Sequence, residues 1–131
     1  MSGKPELLAP AGDWEALVAA VENGADAVYL GGKLFNARHS AGNFENLELS
    51  RAVHFAHVRG VRVYVTVNTL LEHSEVKEAV RFLHFLYQCG ADAAIIQDLG
   101  LLRLARKAVP ELPLHASTQM TVHNLPALQL L

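Results

Sequence analysis

Apolar residues fall along this chain in two alternating rhythms. At helical spacing stand Leu17, Val18 and Val21, then Leu49, Ala52, Val53 and Ala56, then Val76, Ala79, Val80, Leu83, Leu86 and Tyr87. Between these runs lie short stretches that are apolar almost throughout, at residues 27–30, 61–67 and 93–96. The first rhythm lays one apolar stripe along a helix, and the second suits strands covered on both faces. The pattern predicts strands at 6–9, 27–30, 61–67, 93–96 and 114–116. It predicts helices at 13–23, 47–59, 74–89 and 99–109, with a fifth opened by Asn124. Asp13 and Ser74 are suited to cap helix starts, Gly24, Gly60 and Gly90 stand where helices stop, and Pro110 ends the fourth.

A repeat organises these elements. Gly24-Ala25-Asp26-Ala27-Val28 returns 66 residues later as Gly90-Ala91-Asp92-Ala93-Ala94, with the strand at 61–67 near the midpoint. The unit is therefore one helix and one strand, about 30 residues, the size of a βα unit. Strands alternating with helices give a parallel sheet with right-handed crossovers. A doubly wound nucleotide binder would carry Gly-x-Gly-x-x-Gly after its first strand, and Pro10-Ala11-Gly12-Asp13 is not that. A (β/α)8 barrel points the C-terminal end of every strand at one mouth, so polar residues should follow each strand, and they do. The expected fold is α/β: the first five βα units of a (β/α)8 TIM-type barrel, with an incomplete parallel sheet. Residues 1–131 would form the N-terminal part of a single barrel-type catalytic domain.

Composition narrows the class. Hydrophobic residues are 51% of the chain and charged ones 18%, which suits a sheet buried on both sides. A net charge of −2 gives no basic footprint for nucleic acid, although a near-neutral domain can still hold an RNA-reading cleft. Cys89 is the single cysteine, so no internal disulfide forms and the expected compartment is reducing. The first residues lack the apolar stretch of a signal peptide, and no apolar run reaches membrane-spanning length. The expectation is a cytoplasmic protein with no membrane partner.

The strand ends collect the candidate chemistry. Asp13, Asn36, Arg38, Asn68, Thr69, Gln97, Asp98, His115, Ser117, Thr118 and Gln119 would share one rim. Arg38 can fork onto a carboxylate or phosphate, and the amides of Asn68, Gln97 and Gln119 offer paired donors and acceptors for an amide, a base edge or a keto-acid. Against this, Asp98 can simply cap the fourth helix, and Ser117 or Thr118 a turn. For His115 the functional reading leads, provided the strand register does not turn it outward. His54 and His57 read as surface histidines on an outer helix. Gly31-Gly32-Lys33 lacks the spacing of a P-loop. Cys89 reads as a packing residue. Ser117 and His115 make no triad, and no cluster has metal-ligand spacing. The loop at 31–46 is long for a βα connection and, with Phe35 and Phe44 as anchors, reads as functional.

Pro5-Glu6-Leu7-Leu8-Ala9-Pro10-Ala11-Gly12, Gly24-Ala25-Asp26-Ala27-Val28-Tyr29-Leu30-Gly31-Gly32, Phe35-Asn36-Ala37-Arg38, Val67-Asn68-Thr69, Gln97-Asp98 and Leu114-His115-Ala116-Ser117-Thr118-Gln119 together resemble the collagenase-like peptidase family U32. The resemblance runs through essentially the whole chain, in order. It implies a barrel-type catalytic domain, a bacterial or archaeal origin and a family named for proteolysis. It also implies relatives that hydroxylate tRNA or ribosomal RNA bases without oxygen, some with prephenate, and others that hydroxylate ubiquinone precursors. Some of these carry iron–sulfur clusters. The family signature, a glutamate followed by glycine and spaced cysteines, has no counterpart within these residues, so no cofactor is read for this stretch. An iron–sulfur cluster stays an expectation for the full-length protein only. What the matching motifs transfer is a substrate-binding set, Asn36, Arg38, Asn68, Gln97, Asp98, His115, Ser117 and Gln119, without an assigned catalytic role.

Three functions follow as expectations. The first is a U32 peptidase acting on a peptide. The second is an RNA-hydroxylating enzyme, whose amide-rich pocket and arginine suit a base or prephenate carboxylates. The third is a non-catalytic, partner-dependent scaffold. Two open sheet edges and the apolar Leu125, Leu128, Leu130 and Leu131 further predict that the isolated chain is inactive and self-associates.

Overall fold

Helix and strand alternate through the computed structural model, which describes residues 3–38 and 41–131. Met1, Ser2, His39 and Ser40 lie outside the described residues, the last two within the long loop. In chain order the elements are β1 (Leu8–Pro10), α1 (Trp14–Glu22), β2 (Ala27–Gly31), α2 (Asn46–Val58), β3 (Arg62–Val67), α3 (Val76–Gln88), β4 (Ala93–Ile96), α4 (Leu99–Ala108), β5 (Leu114–Ala116) and α5 (Leu125–Gln129). A single 3-10 turn, Thr118–Met120, separates β5 from α5. All four strand pairings are parallel and the order is β1-β2-β3-β4-β5, with β1 at an edge. A doubly wound sheet would have placed β1 inside. The sequential order is that of the first five units of a (β/α)8 barrel.

Strand alternation divides the sheet into two unlike faces. Val28, Leu30, Val63, Val65, Val67, Ala94 and Ile96 face the helices and join Leu17, Leu49, Val53, Leu83, Leu86 and Leu101 in the main core. The opposite face carries Ala27, Tyr64 and Ala93, with Tyr29 and Ile95 packed against them, as a separate small cluster. That second face is the barrel interior, and its register sets Tyr29 beside Tyr64 and Ile95 beside His115.

The repeat has a physical basis at the N-terminal ends of the strands. Gly24 and Gly90 end their helices at φ of 94° and 87°, a left-handed turn that costs glycine little. Asp26 then accepts from the Leu7 amide at 2.7 Å, and Asp92 from the Val63 amide at 2.7 Å. Each aspartate thus caps the strand before its own. Asp92 also lies 2.7 Å from His57 Nε2, so this histidine is a hydrogen-bond partner of the strand cap at the surface.

Helix ends differ from the expectation at one point. Asp13 and Asn124 cap as predicted, accepting from Ala16 N and Ala127 N. Ser74 does not cap α3. A turn holds the chain there, with Glu75 N donating to the Glu72 carbonyl and Glu72 N to the Glu75 carboxylate, so α3 starts at Val76 behind a Glu75 that is already helical. The stripe on α3 also rotates: Ala79, Leu83 and Leu86 are buried, Phe82 and Phe85 pack half-buried beside them, and Tyr87 is exposed. Among the described residues no helix is long and apolar enough to cross a membrane.

Candidate functional site

The C-terminal ends of the strands enclose a cavity of about 510 Å³. Tyr29, Tyr64 and Ile95 of the interior face line its base. The β1–α1 turn (Pro10, Ala11, Gly12) and the loop after β2 (Asn36, Ala37, Arg38, Asn43) form one wall, and His115, Ser117, Thr118 and Gln119 form the other. Of the eight predicted substrate-binding residues, Asn36, Arg38, Asn68, His115, Ser117 and Gln119 line this one space. Gln97 and Asp98 do not. Asp98 accepts from Leu101 N at 2.8 Å, capping α4, and from Leu71 N at 3.2 Å, tying down the segment after β3. Each of its oxygens accepts from a backbone amide, which turns the carboxylate to capping. Gln97 donates to the Gln119 carbonyl at 3.4 Å and so braces the far wall.

Within the cavity the side chains differ in how free they are. Asn36 is 4% exposed, with its carboxamide wedged against Gly31, where a Cβ would collide with it. Asn68 Oδ1 accepts from Ala37 N at 3.1 Å. Arg38 is exposed: its Nη2 donates to the Tyr29 hydroxyl at 3.3 Å, and its guanidinium lies 5.5 Å from the centre of that ring. No carboxylate lies within salt-bridge distance of Arg38 among the described residues, and none lines the cavity. Among the described lining residues Arg38 is the one fixed positive charge and no carboxylate is present, so an anionic ligand group would meet it directly.

Sequence reasoning missed Tyr29, Tyr64, Thr66 and Asn43. The signal for the tyrosines was available: each stands two residues before the last inward position of its strand, between small or branched apolar neighbours. Tyr64 donates its hydroxyl to Glu6 at 2.8 Å, Arg62 reaches the same carboxylate at 3.1 Å, and the Tyr64 ring meets His115 edge-on at 4.7 Å. Burial, then the bond to Glu6, pushes the Tyr64 hydroxyl above its usual range, so it stays a neutral donor. His115 faces the interior, as the functional reading required, and its contact is this tyrosine ring.

Hydrolytic dyads and metal cages do not form from these side chains. Ser117 is 6% exposed and its hydroxyl accepts from Gln119 N at 3.2 Å, capping the turn rather than meeting His115. Among the described residues no group of three His, Cys, Asp or Glu side chains could hold a metal ion. Cys89 sits at the end of α3, with its thiol directed to the Leu86 carbonyl at 3.3 Å and pushed up by burial. Helices here run back from the mouth, so that thiol is at the opposite end of the barrel. An iron–sulfur cluster needs several thiolates together, and the described residues do not fit one.

Comparison with known proteins gives concordant matches. The family model for peptidase family U32 matches residues 12–131. The 23S rRNA 5-hydroxycytidine C2501 synthase of Escherichia coli (strain K12) is 44% identical over 124 residues, covering 95% of this chain and 18% of that protein. The tRNA hydroxylation protein P1 of Bacillus subtilis (strain 168) is 36% identical over 126 residues, covering 96% of this chain and 30% of the relative. An uncharacterized protease of Methanocaldococcus jannaschii is 40% identical over 119 residues, covering 91% and 29%. The chain thus spans less than a third of each of these relatives. Among solved structures, DHDPS from Cyanidioschyzon merolae with lysine bound superposes with a TM-score of 0.55 at 17% identity, covering 83% of this chain and 44% of that one. At that identity the match shows the fold alone, that of an incomplete barrel.

Proposed function

The chain belongs to peptidase family U32, and from that membership we propose that its mouth is the substrate pocket of an enzyme that hydroxylates a base of tRNA or ribosomal RNA. The observation that carries the reading is the make-up of the cavity: among the described residues, a guanidinium without a carboxylate partner beside two tyrosines and a set of amides, and no hydroxyl–imidazole dyad. A guanidinium forks onto a phosphate or carboxylate, amides read the donor and acceptor edge of a base, and tyrosine rings provide an apolar floor. Arg38 binds the anionic group, Asn68 and Gln119 line the cavity a base edge would enter, and His115 stands against Tyr64 at the base of the pocket. The names of the Escherichia coli and Bacillus subtilis relatives support the same chemistry. An RNA substrate would place the protein in the cytoplasm. Peptide cleavage is the second reading, favoured by the family name and by the archaeal relative's.

The test is made in the host cell with the full-length protein. Deleting its gene should remove one hydroxylated pyrimidine from the nucleosides of ribosomal RNA or tRNA, as read by mass spectrometry. The wild-type gene should restore it. Arg38→Lys keeps the charge but loses the fork, so restoration should be poor, with RNA affinity down by roughly tenfold. Unchanged nucleosides together with cleavage of a denatured-collagen substrate would reverse the order of the two readings. Loss of neither activity would favour a scaffold.

A further inference from the structure

The loop between β2 and α2 holds an internal frame built round the backbone of Arg38. Asn36 Oδ1 accepts from the Arg38 amide at 3.2 Å, and Asn43 Nδ2 donates to the Arg38 carbonyl at 3.0 Å. The two carboxamides are themselves joined, Asn36 Nδ2 donating to Asn43 Oδ1 at 2.6 Å. This ring is anchored on both sides. The Thr66 hydroxyl on β3 lies 3.1 Å from Asn36 Oδ1 and 3.2 Å from the Leu30 carbonyl, sharing one proton between them, and the Asn43 amide donates to the Gly12 carbonyl at 2.8 Å. Room for it exists because Gly31 has no side chain: a Cβ there would overlap both the Asn36 carboxamide and the Thr66 hydroxyl. Asn43 itself sits at φ of 53°, a left-handed conformation that asparagine tolerates better than most residues.

An exposed arginine on an ordinary solvated loop gains nothing from such a frame. Burial of Phe35 and Phe44 already anchors the two ends of this loop in the core, so the frame adds order chiefly to the stretch between them, where Arg38 stands. A guanidinium that must present its fork to one anionic group gains a great deal, because affinity and selectivity both fall when the donor strays by a fraction of an ångström. We propose that Asn43, with Asn36, is a positioning residue that fixes Arg38 at the mouth and thereby sets the affinity for the substrate's anionic group. The inference rests on Arg38 being the anion contact and adds what aims it. Asn36 acts through Arg38, since Asn43, Thr66 and the Arg38 amide already occupy its carboxamide.

Inorganic phosphate serves as the probe, and Arg38 itself as the reporter. In the full-length protein, phenylglyoxal modification of Arg38 is followed by peptide mass spectrometry at rising phosphate concentration, with other exposed arginines as internal controls. Phosphate should protect Arg38 in the wild type. Asn43→Gly removes both side-chain bonds of the frame and suits the positive φ. It should raise the phosphate concentration for half-protection roughly fivefold to tenfold, the scale of one to two net hydrogen bonds, while the melting temperature falls by a few degrees and unfolding stays cooperative. Thr66→Val loosens Asn36 from β3 without altering the loop sequence and should shift protection the same way by less. That variant carries the test should Asn43→Gly fail to fold. Equal protection in wild type and variants overturns the positioning role. Absence of protection in the wild type as well overturns the anion reading of Arg38, and this inference with it.

Discussion

At the scale of single residues, Tyr64 joins the interior of the barrel to its mouth. Its ring lies against His115 while its hydroxyl binds Glu6 below, and the residue is 7% exposed. The hydroxyl holds its proton more tightly folded than unfolded, where the ordinary value is 10.0. The stability it contributes is therefore whole below that value and is lost as pH rises past it. Tyr64→Phe should cost about 1.5–3 kcal/mol at neutral pH, the net worth of one hydrogen bond to a carboxylate. It should also flatten the alkaline fall of stability. Urea midpoints of the full-length protein at about pH 7 and about pH 10.5 measure both effects. A variant whose alkaline fall matches the wild type would show that another group titrates there.

Elements carry a different kind of residue, the cap that holds one segment against the next. Asp98 ends β4 and opens α4, and its second oxygen holds Leu71 in the segment after β3. Its place in the chain is that of a mouth residue, while its bonds are those of a cap. Asp98→Ala should lower stability by about 1–2 kcal/mol through the freed helix and loop amides. RNA affinity should stay where it was in the same protein. Denaturation and binding measured side by side separate the roles: a large affinity loss with little change in stability would return Asp98 to the substrate. Asp26 and Asp92 do comparable work at the other end of the strands, which explains why the repeat preserves an aspartate at that position within this chain.

For the molecule as a whole, the open edges dominate. β1 and β5 each pair on one side only. Leu7, Leu8, Leu125, Leu128 and Leu130 are exposed, the last by 75%. In a closed barrel such edges are paired and such leucines covered. The 131-residue chain produced by itself should therefore self-associate, and light scattering or sedimentation over a dilution series should show species larger than a monomer. A monomer that resists dilution and unfolds cooperatively would mean that the open edges are tolerated.

Periodicity and punctuation were enough to read the architecture. Helical stripes, doubly apolar strands and helix-ending glycines are local signals, each set by the conformations its own residues favour, and they gave five strands in sequential order. The rim could be read for a related reason: parallel strands joined by crossovers deliver their C-terminal ends to one side, so polar residues after each strand converge. Which of those residues face the cavity was settled by pleat, register and hydrogen-bond competition, which depend on partners far away in the chain. Gln97 and Asp98 were taken by the segment after β5, by α4 and by the segment after β3, while Asn36 sank against Gly31 and Thr66. Tyr29 and Tyr64, apolar by pattern, became the lining of the pocket because their face of the sheet turns inward, away from the helices. A one-dimensional pattern reports how much of a strand is buried, and only the curved sheet distinguishes burial under helices from burial inside the barrel.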